Sequence, residues 1–201
     1  MNIIYRIFVH IIYLCNRLFD NIRTFLIFNG NGVIHGNYKT MGVPRIITPR
    51  RASIIIGDGL YLCNSTSANL IGYNYPCVFT TVGDAFIRIG NNVGISQSVF
   101  IAHSNITIGD NVRVGSGCKF YTSDFHSLDY LQRRNDLNKN IQIQSKPIKI
   151  GDDVFLGAGT TVLKGVSIGA KSIIGACSLV TKDIPEGEIW GGVPAKFIRK
   201  I

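Results

Sequence analysis

Histidine is the side chain whose ordinary pKa lies nearest neutrality, so an accessible one can take a proton from a hydroxyl and later return it. The chain has four: His10, His35, His103 and His126. Only His126 stands among groups that could work with it. Residues 123–147 read SDFHSLDYLQRRNDLNKNIQIQSKP, with Asp124 two positions before the imidazole and Asp129, Arg133 and Arg134 after it. A nearby carboxylate or backbone carbonyl fixes an imidazole's tautomer, a role open to Asp124; the same residue could equally cap the loop. Asp129 and Arg134 are candidates for substrate contact or for an ion pair within the loop. By itself the D-x-H order is also that of a solvated surface loop. His10 belongs to a helical pattern, His35 to a glycine-rich connector and His103 to a turn. A catalytic metal needs about three converging ligands, and His103 and His126 are too few and too far apart, so no metal is expected. The segment holds no cysteine, although Cys118 lies shortly before it, so covalent catalysis by a thiol is not implied.

The scaffold that must position these residues is visible in a repeat. At 201 residues the chain fits one domain; 46% of it is hydrophobic, only 16% is charged, and 22 residues are glycine. That mixture excludes wholesale disorder, argues against a helical bundle and points to many short strands with tight corners. Ile150, Leu156, Val162, Ile168, Ile174 and Val180 are each six residues apart. Ile89, Ile95 and Ile101, then Ile108, Val114 and Phe120, repeat the spacing, and Ile56 and Leu62 form a fainter start. A helix cannot use a strict period of six, because successive side chains would march around its surface. Short strands turning corners can, with one aliphatic residue pointing inward per face and glycine beside it where the backbone bends. Small or branched residues two before each anchor (Val154, Thr160, Val166, Ser172, Ser178) suit a second inward position of a narrow prism. The register covers residues 52–122 and 148–181, with irregular turns at 64–81 and 102–107. It is lost over 123–147, and a long polar excursion from a repetitive scaffold is where chemistry tends to sit.

The formal charge of +9 favours an anionic partner: a phosphate-bearing ligand, a membrane surface or nucleic acid. Nucleic acid is the weakest of these, since the basic residues are scattered and no binding signature is present. Five widely spaced cysteines without a C-x-x-C argue against disulfides or zinc and for a reducing cytoplasm. Residues 3–28 have no apolar run long enough to span a bilayer and no signal-peptide layout. Instead Ile4, Phe8, Ile11, Cys15, Leu18, Ile22 and Phe25 form a helical stripe, with Arg6, His10, Arg17 and Asp20 opposite. Two readings stay open: the stripe packs on the domain or a neighbouring subunit, or the helix lies in a membrane interface at the inner face of the membrane. The segments are then an N-terminal helical part (1–30), a repeat domain (31–181) and a tail (182–201).

The hexads, together with two local motifs, resemble the hexapeptide-repeat acyltransferases. One motif is Thr122-Ser123-Asp124-Phe125-His126, which matches the T-x-D-x-H-like segment that carries the catalytic histidine of the family's O-acetyltransferases. The other spans residues 147–200, PIKIGDDVFLGAGTTVLKGVSIGAKSIIGACSLVTKDIPEGEIWGGVPAKFIRK, and looks very like the family's terminal coils and tail. Phe155 stands where many relatives have Trp, and Trp190 replaces a commoner aliphatic residue. The resemblance implies an all-β fold: a left-handed parallel β-helix of triangular section, here with four to five coils. It implies acetyl-CoA as acyl donor, no metal, a homotrimer with sites between subunits, and His126 as general base with Asp124 beside it. Carried over by position, Ala158 and Ala176 offer backbone contacts to the pantetheine arm, Thr181 and Lys182 lie beside the adenosine end, and Lys196 and Arg199 face phosphate. Four of the last twenty residues are Lys or Arg, which agrees in charge, although a solvated tail would look the same.

The function these features imply is O-acetylation of a sugar hydroxyl in a surface polysaccharide or its lipid-linked precursor. The rivals are acetylation of a small soluble acceptor, such as a free sugar or an antibiotic, and a non-catalytic β-helix scaffold. Thiol release from acetyl-CoA with varied acceptors separates them.

Overall fold

A computed structural model describes residues 3–49, 51, 53–66, 69, 71–134 and 143–201, apart from the side chain of Ile4. Residues 135–142 of the polar excursion lie outside the described residues. The repeat folds into a coil of short parallel strands whose stacking makes three sheets. The first holds Ile34–His35, Ile54–Ile56, Ile87–Ile89, Ile106–Ile108, Ile148–Ile150 and Ser167–Ile168. The second holds Tyr38–Met41, Leu60–Cys63, Gly94–Ser96, Arg113–Val114, Phe155–Leu156 and Ile173–Ile174, extended by Glu188–Gly191 and Lys196–Lys200. The third holds Arg45–Ile47, Val78–Thr81, Val99–Ala102, Lys119–Tyr121, Thr161–Leu163 and Leu179–Val180. Along each sheet, successive coils pair in parallel, and among the described strands only the last, Lys196–Lys200, is antiparallel. The first and third sheets have six strands each, so the chain makes six coils rather than four to five. The extra coil begins at Ile34, ahead of the first legible hexad.

The hexad anchors are the core. Ile150, Leu156, Val162, Ile168, Ile174 and Val180 are buried, as are the small residues two before them from Val154 to Ser178. Ile101 is an exception. Phe100 points inward in its place and Ile101 faces out, because the corner after Ile95 is one residue shorter. Phe100 then stacks between Phe79 and Phe120, with ring centroids 5.0 and 4.4 Å apart.

The I-G-D/N triplets explain the edge between the first and second sheets. A Cβ on Gly57, Gly90 or Gly109 would stand within 3 Å of the next coil's backbone, so the stacking distance needs glycine there. The residue after each glycine bonds its neighbour in the coil before. Asp58 Oδ1 accepts from Asn37 N, Asn91 Oδ1 from Asp58 N, Asp110 Oδ1 from Asn91 N and Asp152 Oδ1 from Asp110 N, at 2.6–2.9 Å. The next positions, Asn92, Asn111 and Asp153, take left-handed φ values of 56–58°, which Asn and Asp tolerate better than most residues.

Two insertions leave this frame. The described residues of 64–77 depart from the edge between the second and third sheets, and those of 122–147 from the edge between the third and first. Helix α1 (Ile3–Gly30) precedes the first coil. Its less exposed positions are Arg17, Asp20, Asn21, Thr24, Ile27 and Phe28, so Phe8, Ile11, Leu18 and Ile22 of the expected stripe face away from this chain's coil, while Phe25 at its edge meets the His35 ring, 6.4 Å between centroids.

Candidate active site

The edge between the third and first sheets gathers most of the reactive side chains. His103 occupies it in the third coil, residues 122–134 and 143–147 in the fourth, Lys164 in the fifth, and Thr181 and Lys182 in the sixth. The excursion is closed at its base: Ser123 and Ser145 form an antiparallel bridge, and Lys146 N donates to the Thr122 carbonyl at 2.9 Å. Thr122 is fully buried, and its Oγ1 accepts from His103 N (2.8 Å) and Ser104 N (3.0 Å) while donating to the Ile101 carbonyl (3.2 Å). One hydroxyl therefore spends its full hydrogen-bonding capacity holding two coils in register.

From this clamp the chain turns sharply. Phe125 has φ +64°, uncommon for a bulky residue, and its N–H donates to Ser123 Oγ at 3.1 Å. Its ring is held edge-on by Tyr121 (5.4 Å) and His103 (5.6 Å). The turn leaves His126 exposed in a hollow of about 210 Å³ lined with Asp124, Ser127, Asp129, Gln132 and Gln144. Burial lowers the pKa of His103 below its ordinary value of 6.5, favouring the neutral ring in the turn beneath.

The structure gives several predicted site residues local partners. Asp124 Oδ2 pairs with Lys164 Nζ at 2.5 Å, with side chains 26% and 19% exposed. Its carboxylate thus ties the turn to the next coil. Asp129 caps the short helix α2 (Tyr130–Arg133), accepting from Leu131 N at 2.8 Å. Arg134 closes that helix with its guanidinium 5.3 Å from the Tyr130 ring. Its neighbour Arg133 donates to the Ser127 carbonyl at 2.8 Å.

The proposed donor contacts do not join His126 within one chain. Ala158 and Ala176 sit on the edge between the second and third sheets, a face away, where Cys177 N donates to the Ala158 carbonyl at 2.8 Å. Thr181 and Lys182 are exposed on the His126 edge, two coils on. Lys196 and Arg199 are exposed on the antiparallel final strand. Residues three apart on an unbroken strand face opposite ways, but a bulge opposite Ile189/Trp190 shifts that phase between Phe197 and Arg199.

Three residues that sequence reasoning passed over belong to this description. Thr122 was visible as the first residue of the motif, and Lys164 as a cation inside a hexad. Tyr73, in the 64–77 insertion, left no signal. Its ring lies where a Cβ on Gly117 would be, and its hydroxyl reaches towards Gly159 beside Ala158. Gln97 fastens that insertion, accepting from Asn69 Nδ2 (2.6 Å) and donating to the Tyr73 carbonyl (2.7 Å). A larger hollow of about 440 Å³ lies on the second face where Gly94 interrupts an outward column of Tyr61, Arg113 and Phe155; no imidazole or carboxylate lines it. Proton transfer therefore points to the smaller hollow. Among the described residues, no three His, Cys, Asp or Glu side chains converge as a metal site needs.

Residues 147–182 match the family described as bacterial transferase hexapeptide (six repeats). The galactoside O-acetyltransferase of Escherichia coli is 35% identical over 133 residues, 62% of this chain and 65% of the relative. A putative acetyltransferase of Schizosaccharomyces pombe is 43% identical over 102 residues, 51% of this chain and 46% of the relative. The chain thus spans less than two thirds of the length of these curated relatives. Among solved structures, a hexapeptide-repeat acetyltransferase of Vibrio cholerae complexed with acetyl coenzyme A superposes with a TM-score of 0.60 at 28% identity, over 92% of this chain and 80% of that one. Six-residue register, three stacked parallel sheets and these matches agree: residues 147–182 carry the bacterial transferase hexapeptide repeat, and the coil as a whole is similar in fold to a hexapeptide-repeat acetyltransferase.

Proposed function

We propose that the protein is an acetyl-CoA-dependent O-acetyltransferase whose acceptor is a sugar hydroxyl of a surface polysaccharide or of its lipid-linked precursor. The observation that carries this reading is the presentation of His126. Its imidazole is exposed, yet it rises from a turn clamped by Thr122 and by the Asp124–Lys164 pair. Similarity to a galactoside O-acetyltransferase and to a fold complexed with acetyl-CoA supports the reaction class.

The donor supplies an activated acyl group as a thioester. His126 takes the proton from the acceptor hydroxyl as that oxygen bonds to the acyl carbon, then delivers it to the departing sulfur. Asp124 serves as an orienting partner through the backbone, by pinning the turn to Lys164. Asp129 orders the loop as a helix cap, and Arg134 lies at the helix end, where it can meet the acceptor. Lys182, Lys196 and Arg199 are accessible cations suited to the donor's phosphates, and the exposed backbone around Ala158, Ala176 and Thr181 suits its amide-bearing arm.

We infer a homotrimer because the two halves of this site lie on different edges. The hollow of about 210 Å³ is below the ~300 Å³ at which ligand pockets commonly begin, and a neighbouring copy would enlarge it. The outward positions of the third face run in two columns, Val99, Lys119, Thr161 and Leu179 beside Thr80, Ile101, Tyr121 and Leu163; they are half-exposed, and their apolar members offer a surface for such a copy. The test is thiol release from acetyl-CoA with an assortment of glycan and small acceptors. His126→Ala should lose about 10²–10⁴-fold in turnover while binding coenzyme A as before. Near-normal turnover in that variant assigns the base to another group.

A further inference from the structure

An ordinary surface helix packs its apolar stripe on the core and shows its polar side to water. Helix α1 does the reverse. It approaches the coil through polar positions: Asp20 accepts from Gly42 N at 2.7 Å, the Asn21 carbonyl accepts from Tyr38 Oη at 3.3 Å, and Thr24 is buried. Phe28 completes the contact as the fully buried apolar residue at its end. The stripe of Phe8, Ile11, Leu18 and Ile22 lies about 140° around the axis from this contact at 3.6 residues per turn, with Phe25 at its edge beside the His35 ring. Those five side chains are 48–62% exposed.

We propose that α1 is a membrane-surface anchor, its outward stripe entering the acyl boundary of an anionic bilayer while the coil rides on the water side. Three observations choose this occupant. The helix has 28 residues, about 42 Å, and no helix among the described residues is long and apolar enough to cross a membrane, so a stripe of this length suits lying in the surface. Its charges are Arg6, Arg17, Arg23 and Asp20, a balance of 3 − 1 = +2, which complements anionic headgroups. The helix's one carboxylate is already committed to Gly42 N, so the charge it presents outward is that of the exposed Arg6 and Arg23. The proposal is independent of the acetyl-transfer reading, because no residue of α1 belongs to that site.

The test uses the full chain with vesicles of phosphatidylcholine alone and with about a third phosphatidylglycerol. Co-sedimentation is expected with the anionic vesicles and should weaken as salt rises. Ile11→Gln, Leu18→Gln and Ile22→Gln combined keep good helix formers but remove three apolar side chains, so partition should fall at least a hundredfold. Arg6→Gln and Arg23→Gln should each cost about fivefold on anionic vesicles and leave any binding to neutral ones unchanged. Both sets should keep the mass in solution and the turnover of a soluble acceptor, which separates failure of the anchor from failure of the acetyl-transfer reading. Partition that is absent, or indifferent to anionic lipid, overturns the proposal. So does a drop in oligomer mass in the triple variant, which would assign the stripe to a second copy.

Discussion

Thr122 offers a direct test of how the coil holds His126 in place. Thr122→Val keeps the side chain's shape and removes its hydroxyl. In the native fold that hydroxyl receives His103 N and Ser104 N at 2.8 and 3.0 Å and donates to the Ile101 carbonyl. The carbonyl keeps a bond from Thr122 N at 3.3 Å, so its loss is small. The two amides lose an acceptor that valine cannot replace. A buried unsatisfied donor costs about 1–3 kcal/mol, and these lie in a half-exposed turn that water can partly reach, so about 1 kcal/mol each is reasonable. A total of about 2–3 kcal/mol corresponds to a melting point lower by roughly 5–10 °C for a chain of this size. The turn that carries His126 starts at this clamp, so turnover should fall with it while coenzyme A binding persists. Thr122→Ser restores the hydroxyl and should restore both. Thermal melts at fixed protein concentration and steady-state thiol release are sufficient assays. A valine variant that melts within a degree of the parent, with equal turnover, would show that the clamp neither stabilises the edge nor positions the imidazole.

Other perturbations probe neighbouring parts of the site. Lys164→Met and Asp124→Asn should each destabilise the fold, and a double-mutant cycle should return a coupling of about 1–2 kcal/mol, between exposed and fully buried pairs; additive effects would leave the 2.5 Å contact without energetic weight. Replacing Lys196 and Arg199 together with Ala should raise the apparent constant for acetyl-CoA several-fold at low ionic strength and less at high salt; an unchanged constant at low salt would return both to a solvated tail. His103 has its pKa lowered by burial, so the unfolded chain protonates first as pH falls through 6.5, and folded stability is lost from there down to the lowered value. His103→Gln should flatten that part of the stability–pH curve, and an equal slope in both proteins would place the titrating group elsewhere.

The repeat was legible because its cause is local. Each hexad must send one side chain inward, and the narrow prism accepts only aliphatic or small residues there, so composition and period carry the same information. Where the corner changed length, the period misled. Ile101 kept the spacing of six from Ile95, yet the shorter corner through Gln97 and Ser98 turned Phe100 inward. The first coil was missed for a related reason. Its inward positions include Val33 and Thr40, and with one aliphatic and one hydroxyl in those places the anchors do not stand out. Helix α1 shows the opposite failure. Its stripe was correctly seen as helical, but periodicity reports only that a face is apolar, not what that face meets; Asp20 and Asn21 decided the docking side through single hydrogen bonds.

The site divides along the same line. The turn that carries His126 could be found because a motif of five consecutive residues surrounds it, and that turn is real in the geometry of Phe125. The partner of Asp124 could not, since Lys164 lies 40 residues on and meets it only because one coil stacks on the next. Tyr73 and Gly117 are likewise 44 positions apart in sequence yet share one volume, with the ring standing where any side chain at 117 would have to be. Both contacts depend on the sum of coil length and insertion length, a quantity no single segment encodes. The same arithmetic separates His126 from Ala158 and Ala176. Strand and corner lengths put the imidazole on one edge and the small-residue corner on another, a face apart. On the proposed reading, with the donor at Ala158 and Ala176 and the base at His126, another copy of the chain would join those edges, and the lengths of the corners would then bear on assembly as well as on fold.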